Sequence, residues 1–399
     1  MISPVARVLF FPLAPGTGLA HAGACLAVAG ELERRGHETV LAYGGSRPEL
    51  VGTWARQLER VEEIPSERAV GNSVARWYDE PGSLDRLVLG DVELIRRIRP
   101  DVAVVDMRLS AVLACELTGV PDLALLHFLR LTSPYRDPER WRRRARELRR
   151  PQRAPYAIRR LLDRDVGGGK TLRAQVRAGR ASLGLPPREP PWEGRLVACT
   201  TTPLLDPAEL PPNWRYVGPI DWSVPGGPPP EHGSRPLVVV IVSTTGESTL
   251  LPRLLHELRG EPIDLVVSAG GREDLDELRA LAPNARVEPL LAAGPWLDAA
   301  DVAIVEGGHL TASTAHRAGT PVVVVPHRAD QWAWADRVER LGTGIAVREP
   351  RAPGAIRRAV RRVLRRERYR RAAAEVAAHL RDWDGARSAA DLVEELARG

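Results

Sequence analysis

Between Ala300 and Val347 two short apolar runs, Val302–Val305 and Val322–Val325, are continuous rather than alternating, and each is followed by residues that stop a strand. A strand that is apolar on both faces has to be covered on both faces, which restricts the surrounding chain to a parallel sheet sandwiched by helices. After the first run comes Glu306-Gly307-Gly308-His309-Leu310-Thr311. The glycines allow a tight turn, and the residues from Thr311 to Ala318 suit a helix whose first amides lack partners inside it. Those amides and the helix dipole suit a phosphate group. The second run ends at Pro326 and delivers Asp330 and Gln331 to the strand-end crevice where such sheets take ligands.

The same alternation fills the rest of the chain. Strand signals at Ala6–Leu13, Glu38–Tyr43, Val102–Asp106, Leu123–Leu126 and Leu196–Cys199 alternate with helix signals such as Ala22–Arg35 and Ala111–Thr118. Arginine-rich helices are expected over roughly Asp137–Leu183. A stretch dense in proline and glycine runs from Pro203 to Pro236 and reads as a stiffened linker. The alternation then restarts at Leu237–Val242, Ile263–Val267, Val302–Val305, Val322–Val325 and Gly344–Val347. The expected organisation is an α/β chain of two Rossmann-like, doubly wound parallel-sheet domains facing a cleft. Residues 1–205 form the first, 206–234 the linker, 235–382 the second, and 383–399 a helix crossing back. At 399 residues the chain is long enough for two separate cores.

Cys25, Cys115 and Cys199 are few, odd in number and widely spaced, which argues against a disulfide framework or a zinc site and for a reducing, cytoplasmic setting. The uncharged run Val8–Gly30 is interrupted by Pro12, Pro15, Gly16, Gly18 and His21, so it reads as neither leader nor membrane span. Between Arg130 and Arg180 there are 17 Lys plus Arg against 5 Asp plus Glu. That excess leaves room for an anionic substrate or peripheral membrane contact beside the plainer reading of a solvated helical face. It lacks the interleaved aromatics of a single-strand nucleic-acid platform.

Gly16, Thr17 and Gly18 form a flexible loop after the first strand, with His21 at the entry to the following helix. A histidine there lies on the carboxyl edge of the sheet and suits a general base, although for a lone histidine a capping or partly buried role is the plainer reading. A base needs an orienting carboxylate, and Asp106, ending its strand on the same edge, is the candidate. His37, after Gly36, lies at a helix exit away from that edge.

These segments together resemble the GT-B nucleotide-sugar glycosyltransferases of the UDP-glycosyltransferase superfamily, including antibiotic-glycosylating enzymes. The resemblance is carried by His21 with its spacing to Arg35-Gly36-His37, by Asn213–Pro219, and by Gly319–Pro326 with Asp330-Gln331 and Leu341-Gly342-Thr343-Gly344. It implies an inverting, metal-independent transfer of a hexose from a UDP- or dTDP-linked donor to a hydroxyl of a small natural product. His21 with Asp106 would be the base. The donor would lie on Ser243, Thr244, Leu290, Gly307, Gly308, His309, Leu310, Thr311, Asp330 and Gln331. No separate cofactor is implied, and a homodimer remains open. Three positions depart from the pattern: Glu306 stands where antibiotic glycosyltransferases carry histidine, Thr314 replaces a ribose-binding glutamate, and Leu290 replaces an aromatic. Gly308–Ser313 and Leu26–Ala29 instead resemble the bacterial lipid-linked N-acetylglucosaminyltransferase. The alternatives are therefore a transferase acting on an anionic or lipid-linked acceptor, or a relative whose donor chemistry is altered or lost.

Overall fold

A computed structural model describes the chain apart from residues 1–4, 15–17, 66–75, 128–168, 189–193, 228, 230–232, 245–249, 273, 328, 349 and 351. The first half runs β1 (Arg7–Pro12), α1 (Ala20–Arg34), β2 (Glu38–Tyr43), α2 (Pro48–Gly52), β3 (Leu58–Arg60), α3 (Ser83–Ile98), β4 (Val102–Asp106), α4 (Leu109–Thr118), β5 (Asp122–Leu126), α5 (Gly169–Ser182), β6 (Leu196–Cys199) and β7 (Trp214–Tyr216). The second runs β8 (Leu237–Ile241), α6 (Leu250–Leu258), β9 (Asp264–Ser268), α7 (Leu275–Leu281), β10 (Ala285–Glu288), α8 (Ala293–Ala299), β11 (Val302–Val305), α9 (His309–Ala318), β12 (Val322–Val324), α10 (Ala329–Leu341), β13 (Gly344–Ala346), α11 (Ala355–Arg365), α12 (Glu367–Leu380) and α13 (Gly385–Ala397).

Two parallel sheets result, a seven-stranded one in the order β3-β2-β1-β4-β5-β6-β7 and a six-stranded one in the order β10-β9-β8-β11-β12-β13. Both orders reverse direction beside their first strand, the arrangement that opens a crevice at the strand ends of doubly wound sheets. The continuous apolar runs behave as their composition demands: β4, β5, β8, β11 and β12 are buried along their whole length. Each sheet is the centre of its own compact unit, and residues Arg387–Gly399 belong to the first. There Arg35 pairs with Asp391 at 2.7 Å, and His37 accepts the Ala6 amide at 3.1 Å while facing Glu394 at 3.2 Å. His37 thus fastens a helix, as a residue away from the strand edge should.

The stretch read as linker holds a strand. Trp214–Tyr216 extends the first sheet beyond Leu196–Cys199, with Trp214 only 3% exposed beside Ala124, Leu126, Val197 and Cys199. Burial of one aromatic holds this short strand, and a run of three residues among prolines carries no readable period. β3 and β10 also escape the apolar pattern because each is an outermost strand with a largely uncovered face. Cys25, Cys115 and Cys199 are buried, and none of them is in a disulfide. Among the described residues no helix is long and apolar enough to cross a membrane. Most of the basic region 130–180, apart from α5, lies outside the described residues.

One buried histidine ties the second sheet together. His316 on α9 donates from Nδ1 to the Ala312 carbonyl at 2.7 Å, leaving Nε2 to accept the Thr343 hydroxyl at 2.9 Å. The bond to Ala312 would survive protonation, so burial, which penalises the charged ring, is what lowers its pKa from 6.5 to about 4. The unfolded chain therefore binds a proton that the folded chain refuses between those values. Stability contributed by His316 is complete above pH 6.5 and is lost as pH falls toward 4, by about 3 kcal/mol. Thermal unfolding of the second unit should weaken over that window, and His316→Gln should flatten the slope there.

Candidate active site

The carboxyl ends of β1, β4, β5 and β6 lie level, since Pro12 is in register with Asp106, Asp106 with Leu125, and Leu126 with Cys199. Residues leaving these strands therefore meet along one edge. Asp106 is fully buried at the end of β4. His127, the first residue after β5, points Nε2 at Asp106 Oδ1 from 3.3 Å, and its Nδ1 lies 3.3 Å from Thr200 Oγ1, beyond β6. His21, in the first turn of α1, completes the group: one ligand atom from each of His21, Asp106 and His127 lies within 4.8 Å of the others. The sequence suggested no metal-binding set, yet two imidazoles and a carboxylate at these separations have the donor types that hold a divalent ion. The Asp106–His127 contact is also close to hydrogen-bond length without one.

The geometry of this edge is set from beneath. The chain turns at Met107, whose φ of 63° is a left-handed conformation uncommon for a side chain of this kind. Arg108 then enters the core, where it is 2% exposed. Its Nη2 donates to Asp91 Oδ1 at 2.9 Å and to the Glu62 carbonyl at 2.7 Å, and its Nη1 donates to Glu63 Oε2 at 3.0 Å. The same Glu63 oxygen accepts the Ala14 amide at 3.0 Å, just past β1. The paired carboxylates keep Arg108 charged despite full burial. One network therefore holds both the exit of β4, which carries Asp106, and the start of the loop leading to His21. Gly18 is half-buried in that loop, whereas Gly16 and Thr17 lie outside the described residues.

In the second unit a separate group gathers at the ends of β8, β11 and β12. Glu306 is 2% exposed; its Oε2 accepts the Ser243 amide at 2.8 Å, and Oε1 faces His327 Nδ1 at 3.7 Å. Gln331 is buried, and its side-chain oxygen accepts the His327 amide at 2.9 Å. Asp330 lies beside it in the first turn of α10. Gly307 has φ 98°, and an added Cβ would stand 3.0 Å from the Gln331 carbonyl and from Val324. At Gly308 the same atom would meet nothing within 4 Å. The two glycines thus differ: Gly307 is required by the fold, while Gly308 leaves open space at the head of α9.

From there α9 presents the amides of His309, Leu310 and Thr311 without a side-chain cap. The His309 ring lies 5.9 Å from Trp334. Thr314 is turned into its own helix, donating to the Leu310 carbonyl at 2.9 Å, with Asp221 Oδ1 at 3.4 Å. Thr244 follows Ser243 beyond β8, and Leu290 lies past β10, at the outer border of this sheet.

Comparison with known proteins agrees with this architecture. The family described as erythromycin biosynthesis protein CIII-like, C-terminal domain, matches residues 254–391. Over 383 residues the chain is 30% identical to the PGL/p-HBAD biosynthesis rhamnosyltransferase of Mycobacterium bovis (strain BCG / Pasteur 1173P2), covering 93% of this chain and 83% of the relative. The chain belongs to that glycosyltransferase family. Its fold is GT-B: spinosyn forosaminyltransferase SpnP superposes with a TM-score of 0.74 over 99% of this chain and all of its own, at 18% identity. Glycosyltransferase VinC, solved in complex with DTDP, gives 0.72 over 98% of this chain and 100% of its own, at 19% identity.

Three residues of this glycosyltransferase's two groups were missed in its sequence. His127 and His327 each stand at the carboxyl end of a buried strand, and that position is the signal that could have found them. Arg108 gives no such signal, because an arginine after a strand reads as exposed.

Two measurements check these local arguments. Arg108→Ala would leave Asp91 and Glu63 as buried charges without their partner and should cost about 3–5 kcal/mol in denaturant unfolding of the first unit. Gly307→Ala should destabilise the second unit by about 1 kcal/mol or more, whereas Gly308→Ala should leave the free protein close to unchanged.

Proposed function

We propose that the chain is an inverting glycosyltransferase that moves a hexose from a nucleotide diphosphate sugar to a hydroxyl of a small-molecule natural product. The observation that carries this reading is the buried carboxylate of Asp106 with His21 and His127 gathered on it. A carboxylate beside an imidazole fixes its tautomer and favours the imidazolium formed when the ring takes a proton. In the proposed reaction His21 removes the acceptor hydroxyl proton. The oxygen attacks the anomeric carbon, the bond to the diphosphate breaks with inversion, and the nucleotide diphosphate leaves with the electron pair. His127, with both ring nitrogens directed at Asp106 and Thr200, holds the carboxylate in place.

On the donor side, the open head of α9 with Gly308 suits a diphosphate, whose negative charge the helix dipole and the first-turn amides favour. Glu306 is compatible with this because its carboxylate is buried and directed at the Ser243 amide and His327. That amide is therefore engaged with Glu306. Asp330 and Gln331 would contact the sugar, with Gln331 also holding its own loop. The complex of VinC with DTDP and the rhamnosyltransferase relative support a UDP- or dTDP-linked hexose donor. An anionic or lipid-linked acceptor is the second reading, favoured by the many exposed arginines.

With an identified acceptor, His21→Ala should lower kcat by roughly 10²–10⁴-fold while leaving the KM for the nucleotide sugar close to that of the unaltered enzyme. Full turnover in that variant would refute the assigned base. Activity should survive chelation with EDTA; a strict requirement for added divalent ion would reassign His21, Asp106 and His127 to a metal centre. Failure to bind UDP or dTDP in calorimetry would remove the donor assignment.

A further inference from the structure

The segment Arg357–Arg371 carries nine arginines and a single acid, Glu367, and all nine arginines are exposed. Along α11 and its C-cap they come in pairs, Arg357-Arg358, Arg361-Arg362 and Arg365-Arg366, repeating every four residues. Side chains four apart are neighbours on a helix, so the pairs form a stripe along one face. The opposite face is committed to the core: Ile356, Ala359, Val360 and Val363 are buried against the second sheet's own cluster.

Among the described residues, few acids answer this charge. Glu257 accepts the amides of Ile356 and Arg357 at the start of α11, Glu261 pairs with Arg361 at 2.7 Å, and Asp301 pairs with Arg370 at 2.8 Å. Arg358 turns to the Pro353 carbonyl, and Arg368 lies against Tyr369. Like charges four apart oppose helix formation, so the stripe is unfavourable for the isolated fold. An anionic partner would remove that opposition.

We propose that the arginine stripe of α11 and the start of α12 docks this protein on the surface of an anionic lipid membrane. A polybasic helical face is attracted to acidic headgroups. Because the apolar face of α11 is already buried, the helix has nothing to insert, and the contact is confined to headgroups. Binding should therefore follow surface charge and be screened by salt. A nucleic-acid partner is disfavoured by the same geometry. The helix lies flat on its sheet rather than protruding into a groove, and the stripe's one aromatic, Tyr369, is 5% exposed and offers no stacking face. The basic region 130–180 plays no part in this argument.

The test is co-sedimentation of the full chain with phosphatidylcholine vesicles containing or lacking phosphatidylglycerol. Binding to the anionic vesicles alone, released by high salt, is expected. The triple variant Arg358→Glu, Arg362→Glu, Arg365→Glu should bind them at least roughly tenfold more weakly. It should melt like the unaltered protein and transfer sugar to a water-soluble acceptor at the same rate, so this outcome stands apart from the proposed reaction. No sedimentation with anionic vesicles at low salt would overturn the inference, as would equal binding to neutral vesicles or undiminished binding by the triple variant. Displacement from the vesicles by duplex DNA with tighter binding to the duplex would overturn it in favour of a nucleic acid.

Discussion

Parallel strands covered on both faces leave the chain only one place to do chemistry. With helices packed over β4, β5, β8, β11 and β12, the faces of the sheets are closed and the strand ends are the remaining openings. Register then decides what meets there. Because Pro12, Asp106 and Leu125 lie level, a histidine just after β5 and a carboxylate at the end of β4 come within a few ångströms without any loop having to reach for the other. The same holds in the second sheet, where Val305 is level with Ile241 and Val324, so Glu306 stands beside Ser243 and His327. Both groups are consequences of strand pairing before they are consequences of side-chain chemistry.

Charge is managed differently in the two groups. In the first unit, burial of Arg108 among Asp91 and Glu63 would be costly if any member were missing, since a buried charge without its partner is far less stable than a solvated one. The network accordingly ties three elements together, and Glu63 extends it to the backbone past β1. In the second unit Glu306 is buried with one amide and a nearby imidazole rather than with arginine. In the proposed reaction the amides at the start of α9 would meet the diphosphate at this end of the sheet.

The sequence made the fold legible wherever an apolar run had to be buried on both sides, and both sheets were read from those runs. It failed where a strand is held by a single contact or lies at a border: Trp214 anchors β7 within a proline-rich stretch, and β3 and β10 have little apolar surface to declare them. At the strand ends, Asp106 and His21 were legible because a titratable residue after a strand or at a helix entry is a recognisable position. Gly307 and Gly308 looked alike, and only the packing of Val324 and the Gln331 carbonyl separates a glycine required by the backbone from one that leaves space for a ligand. Thr314 and Glu306 could be identified as departures from the family pattern, but the direction of a side chain depends on partners remote in sequence. For Thr314 these include Asp221, and for Glu306 the Ser243 amide.

Two imidazoles on one carboxylate pose a question of division of labour, and hydrogen bonding answers it for one of them. A ring that serves as base must direct one nitrogen at the substrate while the other is oriented by its partner. His127 directs Nε2 at Asp106 and Nδ1 at Thr200, whose hydroxyl also lies 3.2 Å from the Leu126 carbonyl. It is tied between the ends of β4 and β6, and taking a proton from an acceptor would require it to give up one of those partners. Its place in the proposed reaction is therefore to fix the carboxylate. In the proposed reaction the proton transfer then falls to His21, the imidazole carried by a helix rather than by a strand end. Asp106, held from the side by His127 and with its strand exit pinned from below through Arg108, has little freedom to follow any other ring.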